Sequence, residues 1–258
     1  METGLEDKVV LVTGGGGGIG SALVRAFAHE GSRVCVHYRT SEERAVRLAQ
    51  ETKGVALQAD LTDPPQVDRL FDRAVEECGR IDVLVANAGA WPRPDEAVWE
   101  MSLDRWRATL AVNLDATFLC CRAFLRHVSS TGHGNIVLIS STAGLFGEAG
   151  HADYAAAKSA LAGGFLASLK NEIVRIAPAG RVNAVCPGWT QTDMTRDALQ
   201  DAAFVRKITR TMALDKLGTA DDVARVVVGL ASDRISGHVT GQVVTVAGGM
   251  EGRVLRES

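Results

Sequence analysis

Two kinds of hydrophobic pattern alternate along the chain. Short, nearly all-apolar runs rich in β-branched residues suit strands buried on both faces of a parallel sheet. Longer segments with apolar residues every three or four positions suit amphipathic helices. The pattern predicts strands at residues 8–13, 33–38, 55–59, 82–86, 135–139, 181–186 and 242–246. It predicts helices at residues 21–29, 41–52, 66–78, 101–128, 151–176, 199–212 and 220–231.

The alternation of strand and helix continues to the end without a linker or an internal repeat. We therefore expect one doubly wound α/β domain of Rossmann type over residues 1–258, with a seven-stranded parallel sheet and helices on both faces. Ser41 is a candidate N-cap for the second helix, and Thr219 is one for the last helix. Asp221 and Asp222 then lie at the positive end of that last helix.

Composition and charge narrow the classes of protein. The chain has 258 residues and a formal net charge of −3, which does not favour a nucleic-acid or anionic-membrane partner. No run of about 18 apolar residues is available to span a membrane, and the acidic N-terminal segment does not look like a signal peptide. The five cysteines include no Cys-x-x-Cys pair, and the histidines lack metal-ligand spacing. We expect reduced thiols, no metal and a cytoplasmic location.

A glycine run, Gly14 to Gly18 followed by Ile19 and Gly20, joins the first predicted strand to the first predicted helix. Glycines let a backbone approach a pyrophosphate, and the N-terminus of the next helix supplies free N–H groups and a favourable dipole. Alone, such a run is compatible with a flexible turn. Between a strand and a helix it predicts a dinucleotide-binding loop.

The end of the second predicted strand bears on the choice of dinucleotide. No acidic side chain lies between Val34 and Thr40 to accept hydrogen bonds from an adenosine ribose, as NAD binding favours. Arg39 is suited to a ribose 2′-phosphate instead, which favours NADP. The alternative is a solvated arginine in a loop.

Polar residues follow three other predicted strands, in the crevice where open α/β sheets bind ligands. Asp60 is suited to accept from an adenine amino group, or to cap the next turn. Asn87-Ala88-Gly89 either lets a cofactor pass close to the strand end or forms a plain turn. Ser141 follows the fifth strand. Asn113 lies inside a predicted helix, where a buried amide is costly unless it is hydrogen-bonded.

Tyr154 and Lys158 are four residues apart in an alanine-rich segment, so on a helix they share one face. A free tyrosine has a pKa of about 10 and is a poor acid–base group near neutrality. A nearby ammonium favours the phenolate, so we expect Lys158 to lower the pKa of Tyr154. The pair is a candidate general acid–base unit, although an ordinary helix surface explains it equally well in isolation.

Taken together, these residues identify the chain as similar to the short-chain dehydrogenase/reductase family from end to end. The matching features occur in the order and at the spacing of the family, with Ser141 thirteen residues before Tyr154. They are Thr13-Gly14-x-x-x-Gly18-Ile19-Gly20, Asp60, Asn87-Ala88-Gly89, Asn113, Ser141, Tyr154-x-x-x-Lys158, Pro187-Gly188 with Thr192, and Gly248-Gly249.

The resemblance implies a catalytic set of Asn113, Ser141, Tyr154 and Lys158. Tyr154 would exchange a proton with the substrate oxygen, which Ser141 would hydrogen-bond. Lys158 would hold the nicotinamide ribose, and Asn113 would hold a water that links Lys158 to solvent. The implied cofactor contacts are Thr13, Gly14, Gly17, Gly18, Ile19, Gly20, Arg39, Asp60, Leu61, Asn87, Ala88, Gly89, Tyr154, Lys158, Pro187, Gly188 and Thr192.

The resemblance further implies an oxidoreductase that interconverts a ketone and a secondary alcohol, with NADP(H) favoured and NAD(H) possible. A 3-oxoacyl-thioester reductase is the first expectation, and a dehydrogenase of a sugar, a cyclic alcohol or a dihydrodiol is the alternative. A dinucleotide sensor without turnover is disfavoured, because a pure binder needs no acid. Substrate choice should reside in residues 90–100, 144–152 and 191–210. There Trp91, Phe146 and Trp189 would form an apolar wall, or simply pack.

Three departures from the family pattern stand out. The glycine loop lacks the basic residue that often accompanies NADP. Between Lys158 and Pro178 the chain is about one helical turn longer than is usual, in a segment that packs at subunit interfaces in the family. A homo-oligomer, either a tetramer or a dimer, is still expected. Ala247 replaces an aspartate before the final glycine pair, which should affect packing more than catalysis.

Overall fold

The computed structural model describes residues 2–250. Its main sheet has seven strands, all paired in parallel, in the order β3-β2-β1-β4-β5-β6-β9. The predicted sheet is confirmed. Its strands are β1 (Val9–Val12), β2 (Arg33–Tyr38), β3 (Val55–Gln58), β4 (Val83–Ala86), β5 (Asn135–Ile139), β6 (Arg181–Pro187) and β9 (Val243–Val246). A second, two-stranded sheet that the pattern did not predict joins β7 (Thr190–Gln191) to β8 (Gly218–Thr219).

Helices cover both faces of the main sheet. They are α1 (Gly18–His29), α2 (Glu42–Thr52), α3 (Pro64–Cys78), α4 (Leu103–Leu110), α5 (Ala116–Thr131), α6 (Ala143–Phe146), α7 (Ala152–Ala160), α8 (Leu166–Ile173), α9 (Ala202–Thr209), α10 (Ala220–Ala231) and α11 (Asp233–Ser236). The helix predicted at 199–212 is shorter than expected, and α6 was not predicted. Thr219 caps α10, as predicted, and the structure adds a capping box with Asp222. Ser41 occupies the N-cap position of α2, but its side chain makes no capping bond.

Two apolar cores follow from the alternation of side chains along each strand. In β1, Val10 and Val12 pack with α1, α2 and α10 on one face, and Val9 and Leu11 pack with α3, α5 and α8 on the other. These four side chains are each at most 3% exposed. Because every strand points the same way, the carboxyl ends share one edge of the sheet. The turns after β1, β2, β4 and β5 therefore meet there.

Each of the two long predicted helices contains a π-helical turn that the hydrophobic period did not reveal. The first turn is Ala111–Asp115 and the second is Leu161–Phe165. Such turns accommodate an extra residue inside an α-helix. In the second, Gly163 departs from helical geometry, with φ −110° and ψ −116°. This turn lies within the segment that the sequence indicated to be longer than usual.

The helical stretch Leu103–Thr131 is long and apolar enough to cross a membrane, with a mean hydropathy of 1.4 in its most apolar window. Half of that window is buried inside the protein. Phe124 and Cys121, for example, belong to the core beneath the sheet. A core helix of a domain can have the same length and composition, so this finding by itself is weak evidence for a membrane span.

Candidate active site

A cavity of about 420 Å³ opens at the carboxyl edge of the sheet. It runs from the end of β2, past the glycine loop, to α7. Seventeen of the predicted site residues line it, and Thr13 and Asn113 do not. The lining set comprises Gly14, Gly17, Gly18, Ile19, Gly20, Arg39, Asp60, Leu61, Asn87, Ala88, Gly89, Ser141, Tyr154, Lys158, Pro187, Gly188 and Thr192.

Thr13 supports the cavity wall from behind. Its hydroxyl oxygen accepts hydrogen bonds from the backbone N–H groups of Asn87 and Ala88, both at 2.9 Å. The Asn87 amide donates in turn to the Thr13 carbonyl at 2.9 Å. Thr13 therefore joins the ends of β1 and β4 and sets the position of the Asn87-Ala88-Gly89 turn.

Asn113 lies in the first π-helical turn and is fully buried. Its amide nitrogen donates to the carbonyls of Ala90 at 2.9 Å and Thr109 at 3.0 Å, and its amide oxygen accepts from the Ala90 N–H at 3.1 Å. The amide that looked costly in sequence is thus satisfied, and it fastens the chain after β4 to the helix. A Cβ on Gly89 would lie 2.7 Å from the Asn113 amide oxygen and 3.2 Å from Lys158 Nζ.

The glycine loop packs too closely for side chains. Gly14 has φ +65°, and a Cβ there would lie 3.1 Å from Ala88 Cα. A Cβ on Gly20 would lie 2.1 Å from the Gly14 carbonyl oxygen. Gly17, at the N-cap of α1, has no side chain to satisfy the first N–H groups of that helix. The loop therefore presents free backbone donors to the cavity, as a phosphate requires.

His37 is a residue of this site that sequence reasoning missed. It is 2% exposed at the end of β2. Its Nδ1 accepts a hydrogen bond from the Gly14 N–H at 3.0 Å, and its Nε2 pairs with the Ala59 carbonyl at 3.1 Å. Burial lowers the pKa of His37 to about 4, so the ring is neutral and Nε2 donates. In the sequence, a histidine inside an apolar strand carried no signal of this role.

Arg39 and Asp60 line the end of the cavity formed by the turns after β2 and β3. Arg39 is exposed at the rim. The Asp60 carboxylate accepts from the Thr62 hydroxyl at 2.7 Å and from the Thr62 N–H at 2.9 Å. These two bonds lower the pKa of Asp60, and the charge of Arg39 contributes. The carboxylate of Asp60 therefore closes a turn. Asp60 also lines the cavity, so its contact with an adenine amino group stays a prediction.

Tyr154 and Lys158 lie on α7, with the Lys158 ammonium 5.7 Å from the centre of the Tyr154 ring. Lys158 Nζ donates to the Ile139 carbonyl at 3.0 Å. Burial raises the pKa of Tyr154 to about 12, partly offset by a hydrogen bond with Ser141. The expected lowering of the Tyr154 pKa by Lys158 is therefore wrong for this chain, because the cost of burying a phenolate dominates. Burial also lowers the pKa of Lys158 to about 8.

Asp153, which sequence reasoning also missed, anchors the start of α7. Its fully buried carboxylate accepts from the Tyr154 N–H at 2.9 Å, from the Thr109 hydroxyl at 2.7 Å and from Arg105 Nε at 3.2 Å. Burial alone would raise the pKa of Asp153, but these bonds outweigh it and the pKa is lowered. Arg105 also binds the Glu96 carboxylate and the carbonyls of the neighbouring loops.

Aromatic rings form the wall of the cavity beyond Tyr154. Trp91 stacks on His151 with ring centres 4.6 Å apart, and it meets the edge of Trp189 at 5.9 Å. Trp189 in turn contacts Phe204 at 5.0 Å. Trp91 and Trp189 line the cavity, whereas Phe146 does not and is 43% exposed. The expected apolar wall therefore includes the two tryptophans but not Phe146.

Among residues 2–250, no group of three or more His, Cys, Asp or Glu side chains is arranged to hold a metal ion. The five cysteines are free. The cavity presents the hydroxyls of Ser141 and Tyr154 and the amine of Lys158. It also presents the backbone donors of the glycine loop and the charged side chains of Arg39, Asp60 and Glu148.

Comparison with known proteins gives consistent matches over nearly the whole chain. A family model described as "Enoyl-(Acyl carrier protein) reductase" matches residues 15–251. The chain is 35% identical to the 3-oxoacyl-[acyl-carrier-protein] reductase of Synechocystis sp., over 96% of this chain and 98% of that protein. It is 34% identical to the cis-4-hydroxycyclohexanecarboxylate dehydrogenase of Sinomonas cyclohexanicum, over 96% and 98%. Among solved structures, gox2181 superposes with a TM-score of 0.89 at 29% identity, covering 96% of this chain and 97% of that one.

Proposed function

Because the chain belongs to the short-chain dehydrogenase/reductase family of NAD(P)-dependent oxidoreductases acting on CH–OH groups, we propose that it interconverts a ketone and a secondary alcohol with NADP(H). Tyr154 is the general acid–base in this proposal. The main support is that one cavity contains the glycine loop, Ser141, Tyr154 and Lys158. A nicotinamide dinucleotide fits these residues, since the loop offers backbone donors and leaves no space for side chains.

Each residue has a distinct task in the proposed reaction. When bound, the dinucleotide supplies or accepts the hydride. Tyr154 gives its proton to the carbonyl oxygen, or takes it from the alcohol. Ser141 donates a hydrogen bond to that oxygen and stabilises its developing charge. Lys158 would hold the nicotinamide ribose. Because burial raises the pKa of Tyr154 to about 12, the side chain is held in the protonated form that can donate to a ketone oxygen.

Removal of the Tyr154 hydroxyl tests the catalytic assignment. Tyr154→Phe should lower kcat by about 10³-fold with any reducible ketone, since a positioned general acid typically contributes about 10²–10⁴-fold. The measurement is the oxidation of NADPH by absorbance, with NADPH binding followed by fluorescence as the control for folding. Unchanged turnover with phenylalanine at position 154 would disprove the assignment. Tight NADPH binding with no turnover of any ketone by the wild type would favour a dinucleotide sensor.

The preference for NADP(H) rests on Arg39 at the cavity rim and on the absence of a carboxylate at the end of β2. Arg39→Ala should weaken NADPH binding about 10–100-fold and leave NADH binding nearly unchanged, given about 1.5–3 kcal/mol for a charged hydrogen bond. Arg33→Ala, at the opposite end of the same strand, is the matched control. Equal affinities of the wild type for NADPH and NADH would overturn this preference.

Two substrate classes suit the proposed reaction. The first is a 3-oxoacyl thioester, the class that the names of bacterial relatives specify. The second is a cyclic alcohol, the class that the name of the Sinomonas relative specifies. A specific observation favours a hydroxylated ring within the second class, because Glu148 places a hydrogen-bond acceptor in the lining of the cavity.

We also propose a homo-oligomer in the cytoplasm that acts on small molecules, without nucleic-acid or membrane partners. Exposed apolar side chains on the outer helices, such as Phe118 at 44% exposure, support self-association. The ring centre of Phe118 lies 6.5 Å from that of Phe165, which is the last residue of the second π-helical turn. Light scattering after size-exclusion chromatography distinguishes monomer, dimer and tetramer. A monomer at micromolar concentration would contradict this part of the proposal.

A further inference from the structure

Glu148 is a carboxylate in the cavity that the proposed reaction does not use. It lies between Ser141 and Tyr154 in the chain, lines the same cavity and is 24% exposed. Its Oε1 accepts a hydrogen bond from Trp91 Nε1 at 3.2 Å and lies 3.6 Å from His151 Nδ1. Within residues 2–250, its Oε2 accepts no hydrogen bond. One oxygen of the carboxylate is therefore held by the protein while the other is free to bind a ligand.

The side chains around Glu148 hold it in a defined position. His151 is 1% exposed, and its Nε2 pairs with the Pro92 carbonyl at 2.9 Å. Its Nδ1 is buried, has no hydrogen-bond partner among the described residues, and faces Glu148. The His151 ring also stacks on Trp91 at an interplanar angle of 24°. Glu148 is thus fixed by two rings that pack against each other, unlike a carboxylate on a solvated loop.

We propose that Glu148 accepts a hydrogen bond from a hydroxyl group next to the reacting carbon, so that the substrate is a hydroxylated cyclic ketone or the corresponding diol. This inference rests on the proposed ketone reduction at Tyr154. It selects between the two substrate classes above and makes Glu148 a specificity-determining residue.

The selectivity follows from the cost of desolvating an unpaired carboxylate. When a ligand excludes water, a buried acceptor without a donor costs about 1–3 kcal/mol, and more when it is charged. A site built to bind a substrate hydroxyl therefore rejects the analogue that lacks it. The acyl chain of a 3-oxoacyl thioester would bring CH₂ groups against Glu148. A hydroxylated ring instead supplies the donor.

The tryptophans beside Glu148 favour a ring over a linear chain. Trp91 and Trp189 stand nearly perpendicular, at 87°, and form a rigid apolar corner. Flat apolar faces with a few placed polar groups are typical of sites for compact small molecules. A protonated amine would offer Glu148 the same kind of donor. However, the apolar corner formed by the two tryptophans would also have to desolvate the ammonium, which is costly, so a neutral hydroxyl is the expected donor.

The test compares four substrates with NADPH: cyclohexanone, 2-hydroxycyclohexanone, 2-aminocyclohexanone and acetoacetyl-N-acetylcysteamine. The wild type should have a kcat/KM for the hydroxyketone about 100-fold above that for cyclohexanone, since both offer the same ring and carbonyl. Glu148→Leu should reduce this ratio to within about threefold, mainly through KM. Glu148→Gln retains an acceptor for Trp91 and should lose about tenfold on the hydroxyketone only. Glu100→Gln, at an exposed acid in the neighbouring loop, is the matched control.

Each outcome decides one question. A loss confined to the hydroxyketone supports the inference. A preference of the wild type for the thioester or the amine, or an equal change on all ketones in both Glu148 variants, overturns it and leaves the proposed reaction standing. If no ketone is reduced by the wild type, or if Tyr154→Phe is fully active, the proposed function itself fails and the inference falls with it. Thermal unfolding of every variant separates these results from misfolding.

Discussion

The two ends of the cavity are built in different ways. At the end beside the glycine loop, where we propose that the cofactor binds (the cofactor end), the walls are mostly backbone. Glycines there let the loops approach so closely that a Cβ on Gly20 would lie 2.1 Å from a carbonyl oxygen. At the other end, where we propose that the substrate binds (the substrate end), the wall is formed by side chains from loops far apart in sequence, such as Trp91 on Trp189. Behind this wall, the ion pair of Arg105 and Asp153 joins α4 to α7. The shape of the cofactor end is set by the backbone turns at the carboxyl edge of the sheet. The substrate end depends on individual contacts, so single substitutions there should change specificity before they change the fold.

The largest effect should come from filling the cofactor end. Gly20→Ala places a Cβ against the backbone of Gly14, where no flexible side chain is present to yield, so we expect a loss of about 4 kcal/mol in the free energy of unfolding. NADPH affinity should fall with it. Gly229→Ala is the control, because a Cβ there meets nothing within 4 Å inside α10. This variant should gain about 0.5–1 kcal/mol. Urea unfolding measures both, and equal effects of the two alanines would refute the contrast.

The second prediction concerns His37, which ties the glycine loop to β3. Its pKa is about 4 when folded and 6.5 in the exposed side chain. Between these values the unfolded state binds a proton that the folded state does not. The free energy of unfolding should therefore have its full value above pH 6.5 and decrease by about 3 kcal/mol as the pH drops towards 4.

His37→Asn keeps an acceptor near the position of Nδ1 and cannot be protonated there. Its unfolding free energy should be lower at pH 7 but flatter between pH 6.5 and pH 4, as urea titrations at several pH values would reveal. The exposed His29 supplies the control, since His29→Asn should retain the wild-type slope. A persistent slope in His37→Asn would assign the pH dependence to another group.

At the substrate end, Asp153→Asn should cost about 2 kcal/mol, because it removes a charge that Arg105 and Thr109 bind inside the protein. Arg105 keeps its contact with Glu96, which limits the loss. The folded pKa of Asp153 is lowered, so its contribution is present above the unfolded value near pH 4 and is lost as the pH falls through the folded value. The variant should thus lose less stability than the wild type on acidification. Steeper acid unfolding of the variant would contradict this.

The smallest effect should come from the exposed ion pair that links α2 to the loop after β7. Arg44 and Asp193 are 2.5 Å apart but 61% and 40% exposed in their side chains. Such pairs contribute about 0–1 kcal/mol and weaken with salt. A double-mutant cycle of Arg44→Ala and Asp193→Ala should give a coupling below about 1 kcal/mol in 0.05 M salt, and less in 0.5 M salt. Arg47→Ala, on the same helix, is the control. A large, salt-independent coupling would contradict the small contribution expected of this exposed pair.

The sequence by itself determined the sheet and the positions of its functional turns. Seven apolar runs became seven parallel strands, because short runs rich in β-branched residues favour strands. The central strands are buried on both faces, whereas the edge strands β3 and β9 are only partly buried. The glycine loop, Ser141, Tyr154 and Lys158 came to one cavity because parallel strands place their carboxyl ends at one edge. These features depend on periodicity and on short motifs, and both can be recognised from residues that are close together in the sequence.

The tertiary structure alone decided the electrostatics and the substrate wall. Burial, which no local motif encodes, reversed the expected pKa change of Tyr154. The support that His37 gives to Gly14 spans 23 residues, and that of Asp153 to Arg105 spans 48. The carboxylate of Glu148 is held in the cavity by a hydrogen bond from Trp91, which lies 57 residues away in the sequence. Desolvation and contacts between distant loops depend on the whole packed molecule, so they could not be predicted from the order of the residues.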